Sequence, residues 1–131
     1  MIRYEFMPSD FNPIFLILGD QADLARLAAT LRVFARQPRT MSLADEMPEF
    51  RPQTPLTFAP PEEAFGLRRD GLNFIWYLND WQALHVADRI EALAAPQAKS
   101  GSNIFEIGSD GEIPVKVSRG EFADDFLISK R

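Results

Sequence analysis

The sequence contains no cysteine, and its 131 residues include a single histidine. Because no thiol is present, disulfides, thiol catalysis and cysteine-ligated zinc or iron–sulfur centres are excluded. A metal site would need oxygen ligands, and the loop Ser109–Glu112 is too short to bind calcium. The chain also lacks the glycine-rich phosphate loops and the serine elbow that mark common enzyme classes. We therefore predict no metal, no cofactor and no catalytic residue.

Positive charge is also scarce. Lys and Arg number 14 against 19 Asp and Glu, which gives a formal net charge of −5. This balance disfavours nucleic acid and anionic membranes as partners. No apolar run approaches the roughly 18 residues of a membrane span, and the run Ile14–Leu18 is too short for a secretion signal. We predict a cytoplasmic protein that binds neither nucleic acid nor membrane.

The overall composition is that of an ordinary globular protein, with 46% hydrophobic and 25% charged residues. This content of apolar side chains argues against a disordered chain. The length is close to the commonest domain size, so we predict a single domain over residues 1–131.

Two segments have the periodicity of amphipathic helices, residues 20–37 and 79–95. Their apolar positions recur at spacings of three and four. Each segment begins with an N-cap candidate and a polar partner three residues later, Asp20 with Asp23 and Asn79 with Gln82. Each is followed by a helix-ending proline, Pro38 or Pro96.

The two helical segments superimpose at one constant offset, which places Asp20 on Asn79 and which we call the helix offset. Each segment also follows an apolar run typical of a strand. Weaker strand patterns on both sides give the halves 1–63 and 64–131 the same order, ββαββ. A divergent tandem duplication explains this match, and so does coincidence, because a strand followed by an amphipathic helix is a common pairing. We predict an α+β fold with a mainly antiparallel sheet and two amphipathic helices.

The apolar runs Ile14–Leu18 and Phe74–Leu78 are expected to be the central strands of one sheet that carries both helices on one face. Because both runs are apolar on both faces, the face away from the helices needs a cover. Either residues 45–63 or a second copy of the protein supplies it, and we favour a homodimer. Pro55 and Pro114 lie within candidate strands, so we expect them at sheet edges.

Residues 45–63 form a proline-rich acidic connection between the halves. Six of the ten prolines lie between positions 38 and 61, and five acidic residues against Arg51 give residues 45–63 a net charge of −4. One interpretation is a binding loop, which proline stiffens so that less entropy is lost on binding. The other is a connection that docks on the sheet through its apolar side chains. The binding interpretation selects four residues of this segment: Asp45, Glu46, Glu49 and Phe50.

Trp81 and His85 lie near the start of the second helix. His85 is on the side opposite the apolar stripe, where a histidine is ordinarily solvated, so we assign it no catalytic role. With a carboxylate it would instead act as a general base, and the alternative function is a small-ligand binder or hydrolytic enzyme. An exposed tryptophan is a common binding hot spot, so Trp81 and His85 join the candidate binding residues.

The second half ends in two short patterns, I-x-V-x-V-S at Ile113–Ser118 and F-x-D-D at Phe122–Asp125. In these patterns and in its order of elements, this half resembles small uncharacterised bacterial α+β proteins, some of which are similar to immunity proteins of toxin–immunity loci. The resemblance covers about half of the chain. It implies an acidic, non-enzymatic binder that neutralises a cognate toxin, and it assigns no binding residue.

The function that we favour at this point is a small cytoplasmic protein-binding module of the immunity or inhibitor type. The first alternative is the ligand binder or enzyme built around His85. The second alternative is a structural subunit whose sheet forms a homodimer interface.

Overall fold

The computed structural model of the chain describes residues 2–8, 13–46, 56–63, 65–95, 101–108 and 110–119. These residues form eight strands and three helices. In chain order the elements are β1 (Arg3–Met7), β2 (Ile14–Gly19), α1 (Gln21–Arg36), β3 (Met41–Ser42), α2 (Leu43–Glu46), β4 (Leu56–Ala59), β5 (Gly66–Asp70), β6 (Asn73–Tyr77), α3 (Asp80–Leu93), β7 (Gly101–Phe105) and β8 (Val115–Arg119). None of these described helices has both the length and the apolar character that crossing a membrane requires.

The described strands form two four-stranded sheets. The first sheet has the order β1-β2-β8-β7 and the second the order β3-β4-β6-β5. Four pairs are antiparallel, β1–β2, β3–β4, β5–β6 and β7–β8, whereas the two central pairs, β2–β8 and β4–β6, are parallel. The predicted α+β class with mainly antiparallel pairing is confirmed. The prediction of one sheet is wrong.

Each sheet takes one strand pair from each half of the chain. The first joins β1 and β2 to β7 and β8, and the second joins β5 and β6 to β3 and β4. In both halves, therefore, the long helix carries the chain from one sheet to the other. The two apolar runs are interior strands, as predicted, but of different sheets. An apolar pattern fixes which face of a strand is buried and not which distant strand lies beside it.

The helix offset is preserved in the register of the two parallel pairs. Phe15 pairs with Val115 in the first sheet. Moving forward from Phe15 by the helix offset gives Phe74, and moving back from Val115 by the same offset gives Leu56, which is the partner of Phe74 in the second sheet. Every residue pair of β4–β6 obeys the same relation to β2–β8. The two halves are thus related by a pseudo-two-fold symmetry that maps the central pair of one sheet onto that of the other.

Both long helices begin where the sequence predicts. The carboxylate of Asp20 accepts a hydrogen bond from the backbone N–H of Asp23 at 2.9 Å, and the Asn79 amide oxygen accepts one from Gln82 at 2.7 Å. The side chains of Asp23 and Gln82 accept the return bonds from the cap residues, which completes a capping box at each helix. The N–H of Asp23 also lowers the pKa of the Asp20 carboxyl, because it stabilises the charged form.

One cluster of buried apolar side chains connects both sheets and both long helices. α1 and α3 pack against each other. The predicted apolar stripes are buried, apart from the half-buried Leu93. Phe15 of β2 and Phe74 of β6 are pseudo-two-fold counterparts, and their ring centroids lie 4.9 Å apart. This aromatic contact links the two sheets at the centre of the fold.

Arg32 of α1 connects the exposed sides of the two long helices. Its Nη2 donates to Asp88 Oδ1 at 2.8 Å and to Glu91 Oε2 at 2.5 Å. These hydrogen bonds, with Glu91 the stronger influence, raise the pKa of Arg32. Arg32 and Glu91 are separated by the helix offset, so the bond joins pseudo-equivalent positions. All three side chains are solvent-accessible, and such pairs contribute little to stability.

The two apolar interior strands, β2 and β6, differ in how completely a single chain buries them. Leu16 and Leu18, which point away from the main core, are only 2% and 3% exposed. Their counterparts in β6, Ile75 and Tyr77, are half-buried. A second copy is therefore not needed to cover Leu16 and Leu18. The homodimer stays a prediction, and its remaining ground is the half-buried outer face of β6.

Pro114 is not at a sheet edge. It directly precedes β8, an interior strand, and its carbonyl accepts a hydrogen bond from the backbone N–H of Phe15 at 3.0 Å. A proline at the beginning of a strand removes no donor from the ladder, so the expectation of an edge was wrong. Pro55 lies outside the described residues.

Candidate functional site

A groove of about 270 Å³ lies between α3 and the segment that contains β7. We call it the Trp81 groove. Its described lining residues are Trp76, Leu78, Trp81, Gln82, His85, Val86, Ile104, Phe105, Glu106, Ile107 and Glu112.

The helical wall of the groove is built by Trp81 and His85, one turn apart on α3. Their rings stack with centroids 5.8 Å apart and an angle of 9° between the planes. Trp81 is 71% exposed, and its backbone N–H donates to Asp80 Oδ1 at 2.8 Å. The capping box at Asn79 fixes the start of the helix and hence the position of Trp81 within the first turn.

The opposite wall is built by β7 and the residues that follow it. Phe105 points toward the core, where its ring packs against Trp76 with centroids 6.1 Å apart. Ile104 is 62% exposed and Ile107 is 44% exposed. Successive residues of a strand alternate between its faces, so the anchoring of Phe105 leaves Ile104 accessible.

The carboxylate of Glu112 holds the turn that follows β7. It accepts hydrogen bonds from the backbone N–H of Ile107 at 2.7 Å and of Gly108 at 2.7 Å. Glu112 also packs against Gly66, whose φ of +82° favours glycine. A Cβ at position 66 would collide with the Glu112 side chain. Gly66 thus permits the contact that positions Ile107 at the groove.

The surface of the groove is apolar with an acidic margin. Six large apolar residues are exposed among the described residues, and three of them, Trp81, Ile104 and Ile107, line this one groove. Glu106 and Glu112 also line it, whereas no Lys or Arg does so among the described lining residues. Exposed apolar side chains that cluster in this way mark interaction sites more often than isolated ones do.

The structure divides the predicted binding residues into two groups. Trp81 and His85 lie together in the groove. Asp45 and Glu46 are exposed on the short helix α2 and do not line it. Glu49 and Phe50 lie outside the described residues.

Residue-level reasoning missed Ile104, Glu106 and Ile107. They belong to the weaker strand patterns that follow the second helical segment, in which the sequence indicated no binding residue. The available signal was the absence of any charged residue from Gly101 to Phe105. That signal becomes informative only once β7 is known to lie beside α3.

The geometry at His85 does not supply a general base with a carboxylate partner among the described residues. Its ring contact is with Trp81. Asp88, the carboxylate three residues later, bonds to Arg32 instead. The described residues also contain no group of three or more His, Asp or Glu side chains placed to hold a metal ion.

Tyr4, which does not line the Trp81 groove, carries an unusual hydroxyl group. Its hydroxyl is buried and has no hydrogen-bond partner among the described residues. Burial and, to a lesser degree, the charge of Asp23 raise the pKa of this phenol. Because Tyr4 is 5% exposed and belongs to the core cluster, its position is that of a structural residue.

Comparison with known proteins finds no matching family model, no matching curated sequence and no matching solved structure. The resemblance of the second half to bacterial immunity-type proteins therefore stays a hypothesis.

Proposed function

We propose that this chain is a small, single-domain protein-binding module whose binding face is the Trp81 groove. The observation that carries the proposal is the clustering of Trp81, Ile104 and Ile107 on one groove. A rigid, exposed aromatic flanked by aliphatic side chains has the composition of an interface hot spot. The stacking of Trp81 on His85 holds the indole in place, so less entropy is lost on binding.

The acidic margin indicates the charge of the partner. Glu106 is exposed beside the groove, and Glu112 contributes a second carboxylate. The whole chain carries a net charge of −5, which would also attract a basic protein and repel an acidic one. The proposed partner is therefore a protein that presents apolar side chains together with Lys or Arg.

The groove suits a protein segment better than a small-molecule substrate. Its volume of about 270 Å³ is at the lower limit of the roughly 300–1,000 Å³ typical of ligand pockets. His85 has no carboxylate hydrogen bond among the described residues. These two observations favour binding over catalysis.

An acidic binder of a basic protein fits the immunity or inhibitor role suggested by the second half of the sequence. We propose the cytoplasm as its compartment, since the chain is acidic and free of cysteine. Asp45 and Glu46 in the acidic connection are the alternative binding face.

The test is selection of short random peptides displayed on phage against the immobilised protein. We expect the selected peptides to combine apolar residues with Lys or Arg. Their affinities are then measured by tryptophan fluorescence. Trp81 is 71% exposed whereas Trp76 is 2% exposed, so a change in emission on binding reports the groove.

Two matched variants complete the experiment. Ile104→Ser removes an exposed apolar side chain from the groove, and Leu72→Ser removes one from the β5–β6 turn, where Leu72 is 82% exposed. We expect Ile104→Ser to weaken binding about tenfold and Leu72→Ser to leave it unchanged. Failure to select any peptide, selection of acidic peptides, or equal affinities for both variants would each refute the proposal.

A further inference from the structure

β7 is an edge strand among the described residues. In the sheet order β1-β2-β8-β7 it pairs on one side with β8. The other side of an edge strand presents backbone N–H and C=O groups that are available to another chain.

The four edges of the two sheets differ in how they discourage such pairing. β1 carries the charged residues Arg3 and Glu5, and β3 has only two residues. β5 carries three charged residues in its last three positions, Arg68, Arg69 and Asp70. Charges and short length are the usual means by which proteins protect edge strands.

β7 has neither of these protections. It is five residues long, Gly-Ser-Asn-Ile-Phe, with no charge and no proline. The nearest charged residues in the sequence are Lys99 and Glu106, both outside the strand. Of the four edges, it is also the one whose residues line the Trp81 groove, through Ile104 and Phe105.

We propose that the basic partner of this module binds by adding an extended segment to the edge of β7. This inference rests on the proposed function and specifies how the partner is recognised. The backbone of the segment pairs with β7, and every second side chain enters the Trp81 groove between Trp81 and Ile104. The segment therefore alternates apolar residues with others, and a Lys or Arg lies near Glu106.

The acidity of this chain disfavours a second copy as the occupant. Each copy has a net charge of −5, so two copies repel each other at long range, whereas a basic segment is attracted. Like charges brought together at an interface oppose association. A basic segment from a different protein satisfies both the edge and the acidic margin.

The experiment scans a peptide selected on the protein with backbone N-methyl groups, one residue at a time. An N-methyl group removes a backbone donor and leaves the side chain in place. In strand addition only alternate backbone N–H groups face β7. We expect alternate N-methylations to weaken binding about tenfold and the intervening ones to leave it unchanged.

Amide hydrogen exchange in the protein supplies an independent readout. We expect alternate amides of Gly101–Phe105 to exchange more slowly when the peptide is bound, and those of the opposite edge β1 to be unaffected. Peptides that need Trp81 and Ile104 but show no alternating N-methyl pattern would overturn strand addition and leave the groove as the binding face. If no peptide is selected, the proposed function fails, and this inference fails with it. Dimerisation that protects β7 without any peptide would identify a second copy as the occupant and overturn the proposal.

Discussion

The two halves of this chain share one backbone plan and differ in the surface that they present. Both long helices begin with a capping box, and the two parallel strand pairs have the same register. At the positions that correspond to Trp81 and His85 under the helix offset, however, the first half has Ala22 and Arg26. The plan therefore repeats, whereas the groove is confined to the second half.

The sheet walls differ in the same sense. The register of β3 on β4 and of β7 on β8 makes Ser42 the counterpart of Ile104, because Ser42 pairs with Thr57 and Ile104 with Lys116. Three residues further along each segment, Asp45 is the counterpart of Ile107. Polar or charged residues thus replace the apolar residues of the groove. Core positions therefore keep the repeated plan, whereas these exposed positions differ between the halves, and the apolar groove lies in the second half.

The largest expected effect on stability is at the centre of the core, where the two halves meet. Phe15→Ala and Phe74→Ala each remove one ring of the aromatic contact between the sheets. We expect each to lower the free energy of unfolding by about 3–5 kcal/mol, since both side chains are buried. Urea denaturation followed by circular dichroism measures the loss. Phe15→Leu and Phe74→Leu are milder controls, and a difference of several kcal/mol between the halves would show that the pseudo-two-fold core is unequally built.

The next largest effect is expected at the groove. Trp81→Ala should weaken binding of a selected basic peptide by about 30-fold, which corresponds to roughly 2 kcal/mol for a hot-spot residue. The stability of the Trp81→Ala protein should be almost unchanged, because the Trp81 side chain is 71% exposed. Since Trp81 is then absent, affinity is measured by calorimetry. Ala22→Asn, at the matching position of α1, should bind as the parent protein does, and weakened binding there would place the site elsewhere.

Removal of a helix cap should lower stability by a smaller amount than the core substitutions do, and by a similar amount in the two halves. We expect Asp20→Ala and Asn79→Ala each to lower stability by about 1 kcal/mol. Only Asp20 titrates, and its folded-state pKa is lowered by the N–H of Asp23. Its contribution is therefore present above the unfolded-state pKa and is lost as the pH falls through the folded-state pKa.

The pH experiment compares Asp20→Asn with the parent protein. We expect the parent to lose more stability than Asp20→Asn between about pH 5 and pH 3, because asparagine keeps the cap without a titrating group. Asn79→Ala should retain the parent's acid response. Identical acid profiles for the parent and Asp20→Asn would contradict the role assigned to the Asp20 charge.

The smallest expected effect distinguishes the two acidic regions. Glu106→Lys should weaken binding of a basic peptide by about threefold, since exposed charges at an interface contribute less than about 1 kcal/mol. Glu46→Lys, on α2, should leave the affinity unchanged. A higher salt concentration should reduce the difference in affinity between Glu106→Lys and the parent protein, because salt screens exposed charges. The opposite result would move the binding face to the acidic connection that includes Asp45, Glu46, Glu49 and Phe50.

The sequence predicted the helices well because the signals are local. An N-cap and its partner are three residues apart, and an apolar stripe repeats within one turn, so each is specified by near neighbours. The prediction of Asp20 and Asn79 as helix starts is confirmed to the residue. The helix offset, first visible in the amphipathic segments, extends to the strand register. A tandem duplication accounts for this agreement and stays a hypothesis.

The candidate site was predicted only in part, for the opposite reason. Trp81 and His85 are one helical turn apart, so their proximity is a local property that the sequence contains. Ile104 and Ile107 reach them through the packing of β7 beside α3. Asp45 and Glu46 were selected on charge alone, and charge does not specify which surface is adjacent.

By itself, the sequence determined the two capped helices, the apolar strands and the repeated plan, because hydrogen bonds and apolar periodicity act between residues close in the chain. Only the tertiary structure decided that the strands form two sheets, each built from both halves. It also decided which of the four sheet edges lies beside Trp81. Pairing between distant strands depends on packing over the whole core, and an apolar pattern that suits one partner suits another equally well.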